Sequence, residues 1–410
     1  MMAFDFSSSQ AKRRHGPRGH YDLPLMLAAI ALAAIGIVMV ASASIAVADG
    51  QHIGAFHYLD RHLMYLALGL PLTFIAMRVE LKFLEKYSFQ LMLLGVLALL
   101  LVFLPFFGMR INGARRWINL VVISFQPVEA IKPILVIYVA SYLVRHREAV
   151  ETKFFGAIKP VLVTGGLVVL LLAQPDFGSS ALLIAVTVAM VWLGGARMRN
   201  LMIMALPMIP ALIFIATSSD YRVKRLTSFL DPWKDPFNDG FQLTQALIAI
   251  GRGEWFGVGL GNSVQKLFYL PEAHTDFILA VIGEELGLVG ILTVLGLFAL
   301  LVGRGLYVGL RGVEVNQRFA GYVAFGLSLM LGLQAMVSVG VNLGVLPTKG
   351  LTLPLISSGG SSVLMTCAMV GVLLRATYEI HRAEDARRTA VRTAPTADSV
   401  PETAMTEAHA

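Results

Sequence analysis

The chain has 410 residues, of which 56% are hydrophobic and only 14% are charged, and its mean hydropathy is +0.71. A water-soluble domain of this length exposes far more charge, so these values exclude an ordinary soluble protein and predict a polytopic membrane protein. The net charge of +7 does not indicate a nucleic-acid partner, because the basic residues are spread over short loops between apolar segments.

Ten apolar segments are long enough to cross a bilayer as helices. They lie at residues 22–48, 62–79, 87–107, 126–145, 158–175, 177–196, 199–217, 275–303, 319–345 and 353–376. The sequence therefore predicts an all-α polytopic membrane protein with about ten transmembrane helices and a large loop, 218–274, between the seventh and the eighth. The one cysteine, Cys367, lies in the last segment and excludes an intramolecular disulfide.

The first apolar segment resembles a secretory signal peptide in its basic start and in the small-residue run Ala41–Ser44. Its apolar length exceeds that of a signal peptide, which favours a retained membrane anchor.

Basic residues concentrate in alternate loops, and with an even number of spans this distribution predicts that both termini are cytoplasmic. The loops predicted to face outward are 49–61, 108–125, 218–274 and 346–352. Residues 1–20 and 379–410 are polar and are both predicted to be disordered cytoplasmic tails, on either side of a transmembrane domain over 21–378.

The stretch Leu270–Gly287 passes from a polar part of the large loop into the eighth apolar segment. Thr275 or His274 is a candidate N-cap, which places Asp276 in the first helical turn, where the helix dipole favours a carboxylate. An acid at the rim of a membrane helix is costly unless it is used or paired. Asp276 is therefore the leading candidate for the chemistry of this protein.

Two groups of charged residues lie near the outer ends of the third and fourth segments. Arg115 and Arg116 lie in an outward loop, against the positive-inside trend, and Glu129 and Lys132 share a helix face just inside the fourth segment. Spacing alone leaves two interpretations open. In the first, the arginines bind lipid phosphates and Glu129 and Lys132 form a buried structural ion pair. In the second, these residues form a cationic surface that binds an anionic ligand.

Several other polar residues have competing interpretations. His274 and Asp276 supply two metal ligands without a recognisable third, which is a weak signal for a divalent cation. Glu284 and Glu285, two to three turns deeper, fit either a proton pathway or a helix contact, and we favour the structural role. The run Gly257–Asn262 (GVGLGN) lacks a surrounding strand–helix–strand unit, so a nucleotide loop is rejected.

Five motifs occur in one order along the chain. They are NGARRWINL (112–120), FQPVEAIKP (125–133), QPDFGSS (174–180), LPEAHTDFILAVIGEELG (270–287) and LPTKGLTLPLISSGGSS (346–362). Together they resemble the SEDS family, the bacterial shape, elongation, division and sporulation glycosyltransferases, over about residues 20–378. KGLTLP and PEAHTDF are more similar to the division members than to the elongation members. The chain departs from the family pattern at two places. Ser358 stands where the family usually has tyrosine, and VEAIKP replaces the commoner SEFAKL. The Glu-x-x-Lys spacing is kept in VEAIKP.

This resemblance implies a function: polymerisation of lipid II into β-1,4-linked glycan strands at the outer face of the cytoplasmic membrane, with release of undecaprenyl pyrophosphate, during septal wall synthesis. It implies that Asp276 is the catalytic base. The substrate-binding candidates are Arg115, Arg116, Glu129, Lys132, Lys349 and His274. A divalent cation, Mg²⁺ or Mn²⁺, is a candidate cofactor whose ligands the sequence does not define.

The resemblance also implies a cognate class B penicillin-binding protein and other divisome proteins as partners, and the division septum of the inner membrane as the location. Two other functions compete with it. In a lipid II flippase, Glu284 and Glu285 would matter more than Asp276. In a non-catalytic scaffold, truncation of the tails would be harmful and loss of Asp276 would not.

Overall fold

The computed structural model describes residues 20–50, 52–111, 114–119, 124–217, 228–238, 240–267, 269–347 and 350–393. Its helices are α1 (Leu23–Gly50), α2 (His57–Arg78), α3 (Leu81–Lys86), α4 (Ser88–Leu101), α5 (Pro127–Arg145), α6 (Arg147–Thr152), α7 (Phe154–Ala173), α8 (Phe177–Leu193), α9 (Met198–Thr217), α10 (Phe241–Gly253), α11 (Ile278–Glu314), α12 (Arg318–Asn342) and α13 (Gly360–Thr393).

The fold is mostly helical, and each of the ten predicted segments contains a helix. Within the described ranges, six helices are long and apolar enough to cross a membrane, namely α1, α5, α7, α11, α12 and α13. Two shorter apolar helices, α4 and α8, accompany them. The membrane character is therefore confirmed, while the count of ten spans stays a prediction.

The interior of the bundle is built on α5 and α12. In the most apolar 18-residue stretch of each helix, 78% of the residues of α5 and 72% of those of α12 are buried. In α7 the corresponding fraction is 33%, because its outer face is apolar. Helix α5 contacts α4, α8, α12 and α13, and α12 also packs along α11. Helix α1 packs against α11, and its Ser42 hydroxyl donates to Glu285 at 2.7 Å, so this helix is an integral part of the bundle.

A small antiparallel sheet departs from the all-α prediction. Strands β1 (Gly108–Ile111), β2 (Ala114–Asn119) and β3 (Ser124–Phe125) pair in the order β1-β2-β3 within the predicted outward loop 108–125. Pairing of Ile111 with Ala114 leaves Asn-Gly as the connecting sequence, which is the dipeptide preferred in two-residue hairpin loops. The signal for this hairpin was therefore present in the sequence. Strand pairing satisfies backbone groups that a loop at a membrane surface would otherwise leave without partners.

Helix α11 is broken at Gly287, whose φ of 66° is not helical. The break removes two helical hydrogen bonds, and the segment 254–259 of the large loop replaces them. The amides of Val258 and Gly259 donate to the carbonyls of Glu284 and Glu285, at 2.9 and 3.1 Å. The amides of residues 288 and 289 in turn donate to the carbonyls of residues 254 and 255, at 2.9 and 3.1 Å. The glycine-rich run of the loop thus completes the backbone of α11.

Two buried acids attach the same loop to α11. The Glu284 carboxylate accepts from Arg252 (2.8 Å), from the Ser263 hydroxyl (2.5 Å) and from two backbone amides. The Glu285 carboxylate pairs with Lys266 at 2.7 Å and accepts from Ser42. Both acids are fully buried and bonded, as the structural interpretation of this pair predicted.

We expect Gly287→Ala to destabilise the protein by at least about 1–3 kcal/mol from backbone strain alone. A Cβ at this position would also lie 2.4 Å from the amide nitrogen of Gly257, so the loop would have to move. Thermal unfolding in detergent measures the effect. Gly296→Ala, in the same helix and with no atom within 4 Å, is the control and should change stability by no more than about 1 kcal/mol. Equal effects of the two substitutions would contradict the role of the break.

Helix α13 extends beyond the predicted domain boundary at residue 378. It continues to Thr393, with an ion pair between Arg375 and Glu379 at 2.8 Å across that boundary. The disorder predicted from residue 379 onward is therefore wrong over the part of the tail that the structure describes. The physical reason is the run of strong helix formers, chiefly Ala, Arg and Glu, which extends the helix without a breaker.

Candidate active site

Asp276 lies in the turn that leads into α11. The helix begins at Ile278 with Phe277 at the N-cap position, so the prediction that Thr275 or His274 caps it is wrong. The Thr275 hydroxyl instead donates to the Glu272 carboxylate, at 2.6 Å, within the turn. Asp276 is half-buried two residues before the helix, still at the end where the dipole favours a carboxylate.

The side chain of Asn342, at the end of α12, holds both Asp276 and the start of α11. Its Oδ1 accepts from the amide of Ala280 at 3.0 Å, and its Nδ2 donates to the carbonyl of Asp276 at 2.9 Å and to that of Ser338 at 2.8 Å. Asn342 is completely buried. It supplies the cap that the turn lacks and fixes the backbone from which the Asp276 carboxylate projects. Sequence reasoning missed this residue, for which the only signal was an amide at the end of an apolar helix.

Replacing Asn342 with alanine should lower stability by about 2–4 kcal/mol, because buried partners of two or three hydrogen bonds are left unsatisfied. It should also lower kcat for the polymerisation that the resemblance implies more than it raises KM, because the carboxylate loses its fixed position. Steady-state kinetics and thermal unfolding separate the two effects. Asn262→Ala is the control, since Asn262 is exposed and its side chain, among the described residues, bonds to the carbonyl of Val258 alone. Unchanged kcat in the Asn342 variant would contradict the positioning role.

The segment between α12 and α13 approaches Asp276. A Cβ built on Gly350 would lie 2.9 Å from Oδ2 of Asp276, so the backbone there is close to the carboxylate. Lys349 precedes Gly350 in the chain but lies outside the described residues, and its binding role stays a prediction. The amide of Ser358, the departure noted in the sequence, donates to the carbonyl of His274 at 3.0 Å. The side chain of Ser358 takes no part in this bond.

His274 is buried beside Asp276. Its ring contacts that of Tyr58 with centroids 4.5 Å apart, and its Nδ1 has no hydrogen-bond partner among the described residues. Burial lowers the pKa of the His274 imidazole, and the Glu272 carboxylate partly opposes this shift. The histidine therefore lies next to the candidate base as a neutral group at neutral pH.

This shift predicts a pH dependence of stability. As the pH falls below the ordinary histidine pKa of 6.5, the unfolded chain binds a proton at His274 and the folded protein does not. Stability should therefore decrease from that pH down to the folded pKa, by at most about 1.4 kcal/mol per pH unit for this group. Unfolding temperatures of wild type and His274→Gln from about pH 8 to about pH 5.5 test it. An unchanged pH slope in the variant would contradict the assignment.

A chain of polar groups links α5, α12 and the segment that approaches Asp276. Lys132 donates to Oε1 of Glu129 at 2.7 Å and to Oε1 of Gln334 at 2.9 Å, and Gln334 donates to the carbonyl of Thr352 at 3.0 Å. The predicted shared face of Glu129 and Lys132 is confirmed, and both residues are buried. Oε2 of Glu129 has no partner among the described residues. The sequence did not indicate Gln334, which lies on a distant helix.

The two arginines of β2 have different surroundings. Arg116 donates to the carbonyls of Gln174, at 2.9 Å, and Pro175, at 2.5 Å, where α7 ends. Its guanidinium thus interacts with the negative end of a helix dipole. Arg115 lies directly opposite Arg110 in the sheet, and its buried Nε has no partner among the described residues. Two like charges in this position are unfavourable unless an anion binds to them, so Arg115 is the better candidate for an anionic ligand.

The described residues contain no group of three or more His, Cys, Asp or Glu side chains that could hold a metal ion. Mg²⁺ is usually bound by one or two carboxylates together with substrate phosphates and waters, so the divalent cation stays a prediction.

Comparison with known proteins decides the family. A sequence model of the FtsW/RodA/SpoVE family, described as "Cell cycle protein", matches residues 23–382. The chain belongs to this family. The resemblance carried by the five motifs is thereby confirmed.

Relatives in this family share much of the sequence. The chain is 54% identical to a "Probable peptidoglycan glycosyltransferase FtsW" of Xanthomonas oryzae pv. oryzae, over 93% of this chain and 77% of the relative. It is 50% identical to a protein of the same name from Coxiella burnetii, over 88% of this chain and 96% of the relative.

Solved structures in the FtsW/RodA/SpoVE family share the fold. A chain from a peptidoglycan synthase complex, whose structure concerns the coordination of polymerization and crosslinking, is 31% identical with a TM-score of 0.71, over 88% of this chain and 98% of that one. The rod shape-determining protein RodA of Thermus thermophilus is 29% identical with a TM-score of 0.63, over 87% of this chain and 96% of that one.

Proposed function

We propose that this protein is a peptidoglycan glycosyltransferase that polymerises lipid II into β-1,4-linked glycan strands. The observation that carries the proposal is the Asp276 carboxylate, set at the rim of the bundle by Asn342 and approached by the backbone of Gly350. FtsW relatives that bear this activity in their names support it.

In the proposed reaction Asp276 takes the proton from the 4-hydroxyl of the acceptor N-acetylglucosamine. The hydroxyl oxygen attacks C1 of the donor N-acetylmuramic acid with inversion. A β-1,4 bond forms as the bond from C1 to the pyrophosphate oxygen breaks, and undecaprenyl pyrophosphate leaves with the bonding electrons. The leaving group is already an anion of low basicity, so it needs charge neutralisation more than protonation, and one carboxylate is sufficient.

We assign the predicted substrate-binding cations to that neutralisation. Arg115, whose buried Nε has no hydrogen-bond partner among the described residues, is the leading pyrophosphate ligand, and Lys349 is a second candidate. The Lys132 ammonium group pairs with the Glu129 carboxylate and donates to Gln334, and these two contacts fix its position. Arg116 supports the sheet by binding the end of α7. Its guanidinium reaches substrate only if these bonds break.

The proposal includes a topology and partners. The proposed topology has ten spans, with both termini in the cytoplasm and Asp276 at the outer face of the inner membrane. The proposed location is the division septum. A class B penicillin-binding protein that crosslinks the new strands is the expected partner, together with other divisome proteins. The synthase complex among the structural relatives, which joins polymerization to crosslinking, supports such a partner.

The test is synthesis of glycan strands from lipid II by purified protein together with its cognate transpeptidase, resolved by gel electrophoresis. Strands formed only when this chain is present support the proposal. Movement of labelled lipid II across vesicle bilayers without strand formation would favour a flippase instead.

A further inference from the structure

We propose that the end of the bundle opposite Asp276 holds a binding site for a phosphate group, which the headgroup of an anionic phospholipid supplies. The site is a groove of about 200 Å³ between the C-terminal parts of α11 and α13. The residues that carry the proposal are Arg304, Tyr307 and Arg311 of α11 and His381, Glu384 and Arg388 of α13. We call these six residues the arginine groove.

Helical periodicity brings the six side chains together. On each helix the three residues stand at positions i, i+3 and i+7, which form one helix face. The two faces point toward each other across the groove. A water molecule occupies about 30 Å³ of liquid, so the volume accommodates a phosphate group with several waters.

The charges in the arginine groove favour an anion. The guanidinium groups of Arg304 and Arg311 lie over the same ring, that of Tyr307, at 5.1 and 5.3 Å from its centroid. Two cations on one ring repel each other, and an anion between them offsets that repulsion. Arg388 has no ion-pair partner in the part of the chain that the structure describes. Guanidinium groups match the oxygens of a phosphate group in a bidentate geometry.

Two carboxylates outside the groove offset the charges of Arg304 and Arg311, which leaves Arg388 as the arginine of the groove without an ion pair among the described residues. Asp22 pairs with Arg304 at 2.5 Å, and Glu314 accepts from Arg311 at 3.2 Å, and neither acid lines the groove. Glu384 is the one carboxylate among the lining residues, against three arginines. The Nδ1 of His381 lies 2.9 Å from the carbonyl of His20.

The position of the arginine groove indicates a lipid as the source of the phosphate. From the break at Gly287 to Arg304 the helix rises roughly 25 Å at 1.5 Å per residue, which is close to the thickness of the hydrocarbon core of a bilayer. Leu300 and Leu310, next to the groove on α11, are 41% and 55% exposed and can contact acyl chains. Basic pockets between helices at this depth suit anionic headgroups.

The test measures lipid binding by the full chain in detergent and does not require polymerisation. Phosphatidylglycerol, phosphatidylcholine and inorganic phosphate are added separately, and binding is followed by the rise in Tm and by native mass spectrometry. We expect phosphatidylglycerol to bind best, and Arg311→Gln and Arg388→Gln each to weaken it about fivefold. Arg382→Gln is the control, because Arg382 is exposed on the same helix and does not line the groove.

Each alternative outcome decides against part of the proposal. Equal binding of phosphatidylcholine, or equal losses in the Arg382 control, would overturn the site. Inorganic phosphate binding as tightly as phosphatidylglycerol would overturn the lipid as its source. Glycan synthesis by Arg388→Gln in lipid-free detergent should equal that of wild type, so failure of this inference is distinct from failure of the proposed function.

Discussion

Replacing Asp276 with asparagine should leave the protein folded and able to bind lipid II, while strand formation falls by about 10²- to 10⁴-fold. The amide has the shape of the carboxylate but cannot take the proton of the acceptor hydroxyl. The backbone bond from Asn342 to the carbonyl of residue 276 does not depend on the side chain, so the start of α11 should be unchanged. Gel analysis of strands made with the cognate transpeptidase measures the rate, and thermal unfolding confirms the fold.

Glu272→Gln is the matched control for this substitution. Glu272 is an exposed carboxylate in the same turn, and its side chain accepts a bond from Thr275. Its activity should stay within about twofold of wild type. Equal amounts of polymer from wild type and Asp276→Asn would show that the base lies elsewhere. Glu129, whose Oε2 has no partner in the part of the chain that the structure describes, is then the next residue to test.

Replacing Lys132 with methionine should destabilise the protein by about 3–5 kcal/mol and abolish strand formation. Methionine fills a similar volume but leaves the Glu129 carboxylate buried without its cation and removes a partner of Gln334. Thermal unfolding and the strand assay measure the two effects. Glu151→Gln, in the exposed pair with Arg147, should cost about 0.5 kcal/mol or less and serves as the control.

A double substitution separates the structural from the functional interpretation of this pair. In Glu129→Gln with Lys132→Met no buried charge remains unpaired, so most of the lost stability should return. Strand formation should not return if the cation acts on the substrate. Recovery of both stability and activity would instead make the pair purely structural, which is the alternative that its spacing left open.

The class of the protein, its apolar segments and its family could be predicted from local features of the sequence. Membrane helices are encoded by local hydrophobicity, which a window of about 20 residues captures. Local spacing also predicted the contact between Glu129 and Lys132, since three residues along a helix bring side chains to one face. Asp276 was found because a carboxylate at the end of an apolar segment is unusual by itself.

The tertiary structure alone decided which distant groups hold these residues. Asn342 and Asp276 are separated by 66 positions, Lys132 and Gln334 by 202, and Ser42 and Glu285 by 243. No local period encodes such pairs, because they form only when helices pack in a particular order. The break of α11 at Gly287 is likewise stable only because the backbone of a distant loop replaces the lost hydrogen bonds. The buried groups that position Asp276 therefore became visible only in the folded bundle.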